Sequence, residues 1–219
     1  MQTLSTARSE SQILATNKVL KNTYALLALT LLFSAATAGI SMAMNLPYFG
    51  LMTIVGYMAL LFLTSKFRDS SLGILFVFML TGFMGLTIGP ILNSYLATTN
   101  GAQLVMTALG GTGAIFLALS GYVLTSRKDF SFMGGFLFAG MMVVVIAMLA
   151  NIFLALPALA LAVSAGIILL MSGFILFDTS RIIHGGETNY IMATVGIYLS
   201  IYNLFVSLLH IIGATSGDD

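Results

Sequence analysis

A chain of 219 residues with 59% hydrophobic and 7% charged side chains, and a mean hydropathy of +1.06, is too poor in charge to wet a globular surface. Soluble domains carry roughly 25% charged residues, so the composition excludes a soluble fold and implies a surface that faces lipid. A net charge of +1 offers no field for nucleic acid, and the absence of cysteine excludes disulfides and thiolate metal sites while leaving the compartment undecided.

The chain opens on a polar stretch, and residues 1–21 read as a flexible cytoplasmic tail. Met1 to Asn17 is rich in Ser, Thr and Gln, has no sustained apolar period and carries only Arg8 and Glu10 as charges. Such a segment buries too little surface to offset its ordering entropy. It is not a cleavable signal peptide, because the apolar segment after it is too long for an h-region and lacks a cleavage site. Charge then vanishes over four long runs: Asn22–Ser65, Leu72–Ser126, Phe130–Phe177 and Thr188–Gly217. Each holds one or two stretches of about 20 residues, the length that crosses roughly 30 Å of hydrocarbon.

Seven spans are expected: Asn22–Met44, Pro47–Ser65, Leu72–Leu96, Ala102–Thr125, Phe130–Leu156, Ala158–Phe177 and Ile191–Gly213. The second is the shortest, and the fifth and sixth are divided on Pro157. The fold class is therefore all-α and polytopic. Residues 22–213 form one seven-helix transmembrane domain, and residues 214–219 form a short external tail.

Basic residues orient these spans. Arg8, Lys18 and Lys21 precede the first, Lys66 and Arg68 follow the second, Arg127 and Lys128 follow the fourth, and Arg181 follows the sixth. All eight fall on one side, and the opposite loops, around Asn45–Phe49, Thr98–Asn100 and Leu156–Pro157, hold none. Cytoplasmic loops are enriched in Lys and Arg, so the N-terminus is expected inside and the C-terminus outside. Tyr24, Tyr48, Tyr95, Tyr122 and Tyr190 fall near span ends, which suits an interfacial belt.

Within the spans, small and polar residues mark faces. Gly82, Gly85, Gly89 and Asn93 line one side of the third span, with Pro90 expected to kink it. Thr107, Gly111, Ala114, Ala118, Gly121 and Thr125 form a similar seam on the fourth. Both read as packing stripes, since small residues let helices approach closely in lipid. Pro is tolerated there if a neighbour satisfies the carbonyl that it frees. The seventh span carries Gly196, Ser200, Asn203, Ser207, His210 and Ala214 on one face. A polar stripe facing lipid is costly, so this face is expected to point into the bundle or a wet cavity. Bridging between helices is the plainer alternative.

Candidate chemistry is sparse. Asp178 stands at the inner end of the sixth span, and Arg181, three residues on, shares its face. The pair is either an interfacial anchor or a pH-sensitive latch tuned by burial. His184 and Glu187 read as solvated loop residues, and one His with two carboxylates makes a poor metal site. No catalytic, cofactor or metal motif is present: there is no Walker loop, no H-E-x-x-H and no G-x-S-x-G, and Ala118-Leu119-Ser120-Gly121 lacks the leading Gly. Neither an enzyme nor a cofactor is expected.

Several runs resemble a known family. They are Asn17 to Tyr24 (NKVLKNTY), Gly89 to Leu96 (GPILNSYL), Ala150 to Pro157 (ANIFLALP), Phe177-Asp178-Thr179 and, most specifically, Ser200 to Leu209 (SIYNLFVSLL). Together they are similar to the bacterial branch of the Bax-inhibitor (transmembrane Bax inhibitor motif) family, over nearly the whole chain. The resemblance implies six helices around a central seventh and residence in the bacterial inner membrane. It also implies one of two activities: binding and restraining the zinc- and ATP-dependent membrane protease FtsH, or a pH-sensitive calcium leak. In the leak relatives an Asp on the sixth helix pairs with an Asp on the seventh. Asp178 matches the first, but the second position is Ser200 here. With one carboxylate missing, no shared proton raises a pKa and a calcium site loses a charged oxygen ligand. The regulatory reading is therefore preferred.

Overall fold

A computed structural model of the chain describes the backbone of residues 2–216 and the side chains of residues 14–216. Among these residues there are seven α-helices and no strand. They are α1 (Gln2–Ala43), α2 (Leu51–Lys66), α3 (Ser71–Leu96), α4 (Gly101–Ser126), α5 (Gly134–Leu154), α6 (Pro157–Ile183) and α7 (Tyr190–Thr215), with one 3-10 turn at Ser131–Met133 before α5. Six of them are long and apolar enough to cross a membrane. The chain is a multi-pass membrane protein.

The helix boundaries follow local chemistry. The fifth and sixth helices divide at Pro157, as the sequence predicts. Ala155 turns into the left-handed region at φ 49°, and Asn151 Oδ1 accepts the Leu156 N–H at 3.0 Å. Pro157 then begins α6, where its missing N–H costs nothing. The second helix starts later than expected, at Leu51. Gly50 before it sits at φ 55°, where a side chain would be strained, so the segment from Pro47 lies outside the helix. α6 runs beyond Phe177 to Ile183, which places Asp178 and Arg181 within the helix.

α1 begins at Gln2, so the backbone of the expected tail is helical from there, while its apolar stretch starts only at Leu14. The side chains of residues 2–13 and the last three residues of the expected external tail, 217–219, lie outside the described residues.

Contacts divide the chain into two units, Met1–Asn93 with Arg181–Tyr198 and Ser94–Ser180 with Leu199–Asp219. In the first, the glycine stripe of α3 is pressed against α1. A Cβ added at Gly82 would lie 2.6 Å from the Phe33 ring, one at Gly85 would strike the Ser34 carbonyl and the Thr37 hydroxyl, and one at Gly89 would strike Ser41. This is the packing role expected of that stripe. Pro90 cannot donate to the carbonyl four residues back, and Ser41 Oγ donates to that carbonyl, Leu86 O, at 2.7 Å. Asn93 Nδ2 extends the seam by donating to Met42 O at 3.1 Å. Tyr198 of α7 is fully buried in this unit, sharing a 2.7 Å hydrogen bond with Ser34 Oγ and donating to Thr81 O at 3.3 Å.

In the second unit, Leu137 and Val144 of α5, Leu170, Met171 and Ile175 of α6, and Leu204 of α7 make one apolar core. Gly173 lets α6 approach α5, since a Cβ there would lie 2.6 Å from Leu137 Cδ2. α4 corrects an expectation. Its buried residues are Gly101, Leu104, Ala108, Thr112, Ser120 and Val123, whereas Thr107, Ala114, Ala118 and Thr125 of the expected seam are exposed. Ala and Thr cost little against lipid, so a small-residue stripe does not by itself point inward.

α7 is an interior helix. Half of its most apolar stretch is buried, against 11% for α5. Its polar and apolar faces are both covered, with Ser200 and Ser207 buried alongside Ile197 and Leu204. α3, at 56%, is as interior, a role that sequence reading did not assign to it.

Candidate functional site

Two places gather the residues that sequence reading singled out. The first lies at the end of the first unit where the α2–α3 and α6–α7 loops meet. Arg181 Nη2 donates to Gly186 O at 3.0 Å and lies 3.5 Å from Glu187 Oε2. Glu187 is not the solvated loop residue expected. Its side chain is 23% exposed, and its Oε1 accepts the Asn189 N–H at 2.9 Å. Asn189 then does two jobs. Its Oδ1 caps α7 by accepting the N–H groups of Ile191 and Met192 at 3.0 and 3.1 Å. Its Nδ2 donates to Asp69 Oδ1 at 2.8 Å and to Arg68 O at 3.0 Å, and Arg68 Nε in turn lies 3.5 Å from Asp69 Oδ2.

A polar clasp thus joins two loops 120 residues apart in sequence. Sequence reading missed Asn189, although an Asn just before an apolar helix is a cap signal. Asp178 is half-buried five residues before the end of α6, and His184 is exposed on the loop.

The second place lies within the second unit. Of the four residues assigned to the polar face of α7, Asn203, Ser207 and His210 line one cleft of about 330 Å³, together with Asn151 of α5 and Ser164 of α6. Ser200 is buried at 3% and does not line it. His210 Nδ1 and Ser164 Oγ are hydrogen-bonded at 2.8 Å, and Asn203 Nδ2 donates to Leu199 O of its own helix at 2.8 Å. His210 thus bridges to Ser164, while Asn203 and Ser207 form part of the cleft wall. Among the described residues no three His, Cys, Asp or Glu side chains converge on a point that would hold a metal.

The fold, the interior seventh helix and the matching runs can be compared with known proteins. The family described as inhibitor of apoptosis-promoting Bax1 matches residues 16–217. The chain belongs to this family. Among relatives, it is 56% identical over 216 residues to the modulator of FtsH protease YccA of Escherichia coli K12, covering 98% of each chain. It is equally similar to the inner membrane protein YccA of Escherichia coli O6:H1, with 56% identity and 98% coverage of each chain. An uncharacterized membrane protein of Vibrio cholerae is 50% identical over 213 residues, 96% of each chain. The similarity runs end to end, so it takes in α1, both loops of the clasp and the cleft-lining segments alike.

Proposed function

We propose that this chain is an inner-membrane regulator that binds and restrains the FtsH protease, with its N-terminus in the cytoplasm and its C-terminus outside. The observation that carries this reading is 56% identity over 98% of the chain to a protein named as a modulator of that protease. The eight-to-zero division of basic residues supports the orientation. It puts the clasp of Arg181, Glu187, Asn189 and Asp69 on the cytoplasmic side, where an ordered polar surface suits a protein partner. The test is a photo-crosslinker at Asp69 in native membranes, with turnover of an FtsH substrate followed alongside. FtsH is expected in the crosslinked product, and substrate turnover is expected to slow when this chain is overproduced. A product without FtsH, with turnover unchanged, overturns the proposal.

The calcium leak is the second reading, and Ser200 weighs against it. At the position where leak relatives carry their second Asp, this chain holds a neutral side chain that is 3% exposed. A serine hydroxyl does not titrate in this range, so Ser200 cannot share a proton with Asp178 as a second carboxylate would. In proteoliposomes, calcium flux is expected to be low at acidic and alkaline pH alike and unaffected by Asp178→Asn. A strong pH-dependent flux that the substitution abolishes would reverse the ranking.

A further inference from the structure

We propose that the cleft between α5, α6 and α7 binds the uncharged, hydroxyl-bearing headgroup of a lipid, of the kind found in diacylglycerol. The argument begins with hydrogen-bonding groups left over after the protein's own bonds are made. Asn151 spends its Oδ1 on the Leu156 N–H, which leaves its amide to donate. Asn203 spends its amide on Leu199 O, which leaves its Oδ1 to accept. His210 holds Ser164 through Nδ1, which leaves Nε2. Ser207 is 4% exposed and lines the cleft, adding a hydroxyl that can donate and accept. Polar groups withdrawn from water and left unpaired are costly, more so at membrane depth. Such a set is stable only around something that both donates and accepts, which a hydroxyl does.

Charge and size narrow the class. No Asp, Glu, Lys or Arg lines the cleft, so an anionic or cationic head would be buried without a counter-charge. The remaining walls are apolar, from Met148, Val163, Ile167 and Val206, and suit the first carbons of an acyl chain. A volume of about 330 Å³ lies at the small end of ligand sites, room for a headgroup and not for a whole lipid.

Depth fits as well. Counted at 1.5 Å per residue from the nearer helix ends, Asn151 lies ~5 Å in, His210 ~8 Å, Ser164 ~10 Å, Ser207 ~12 Å and Asn203 ~18 Å. These groups thus run from near one end of the bundle toward the middle of α7.

The experiment uses the full-length protein in nanodiscs with three photo-crosslinkable lipids of identical chains. They are a diacylglycerol, a phosphatidic acid and a fatty-acid methyl ester that has no hydroxyl. Wild type is expected to label with the diacylglycerol about tenfold more than with either of the others, and Asn203→Leu with Ser207→Ala to lose about tenfold, the worth of one good hydrogen bond. Ser207→Ala alone, checked by an unchanged melting temperature, is expected to give an intermediate loss and covers the case in which the double variant does not fold. Equal labelling by all three lipids, undiminished labelling of the variants, or no diacylglycerol labelling because only water fills the cleft would each overturn the assignment.

Discussion

Ser41 shows how one hydroxyl can make a helix break tolerable in lipid. Pro90 removes the donor for Leu86 O, and Ser41 Oγ replaces it at 2.7 Å from a neighbouring helix. Ser41→Ala is therefore expected to cost about 1–3 kcal/mol, the penalty of a buried carbonyl left bare. Pro90→Ala returns the N–H to the ladder, so in that background Ser41→Ala should cost far less. A double-mutant cycle on thermal unfolding in detergent reads the coupling, and additive losses would refute the role given to Ser41. Sequence reading anticipated that some neighbour must satisfy this carbonyl but not which one, because the partner lies 45 residues away. Tyr198 was missed for the same reason, its hydroxyl meeting groups 164 and 117 residues distant. The candidate site was legible only as far as one helix can show it. The period of α7 put Asn203, Ser207 and His210 on one face, but Asn151 and Ser164 come from other helices. Glu187 and Asn189 act through loops that have no period.

Elements were more legible than sites, because charge-free length and span spacing are properties of local sequence. The exceptions are faces. The stripes on α3 and α4 look alike in sequence, yet one is wedged against α1 and the other is exposed at Thr107, Ala114, Ala118 and Thr125. A matched pair of substitutions separates them. Gly85→Leu drives a side chain into the Ser34 carbonyl and the Thr37 hydroxyl and is expected to abolish stable folding, as overpacking against backbone cannot relax. At Gly121 on α4 an added Cβ meets nothing within 4 Å, and Gly121→Leu is expected to leave the melting temperature within a degree or two, a surface-sized effect. Fluorescence-detected size exclusion and thermal melts check both. A folded Gly85→Leu protein would contradict the close approach of α1 and α3.

For the whole molecule, the proposed topology of seven crossings puts the two termini on opposite sides. A reporter active only outside the cytoplasm, fused after Asp219, is expected to be active; a silent but inserted fusion would mean an even number of crossings. The proposed count of seven includes α2, whose 16 residues span only about 24 Å against roughly 30 Å of hydrocarbon. Its exposed apolar side chains, among them Leu51, Met52, Ile54, Val55, Met58 and Phe62, are too short a run to reach across a bilayer of ordinary thickness. On that topology the surrounding leaflets pinch inward along that flank at a cost of a fraction of a kcal/mol per ångström. A seven-crossing bundle of this shape is expected to favour thin or easily deformed bilayer, and neighbours whose own short helices share the same dimple.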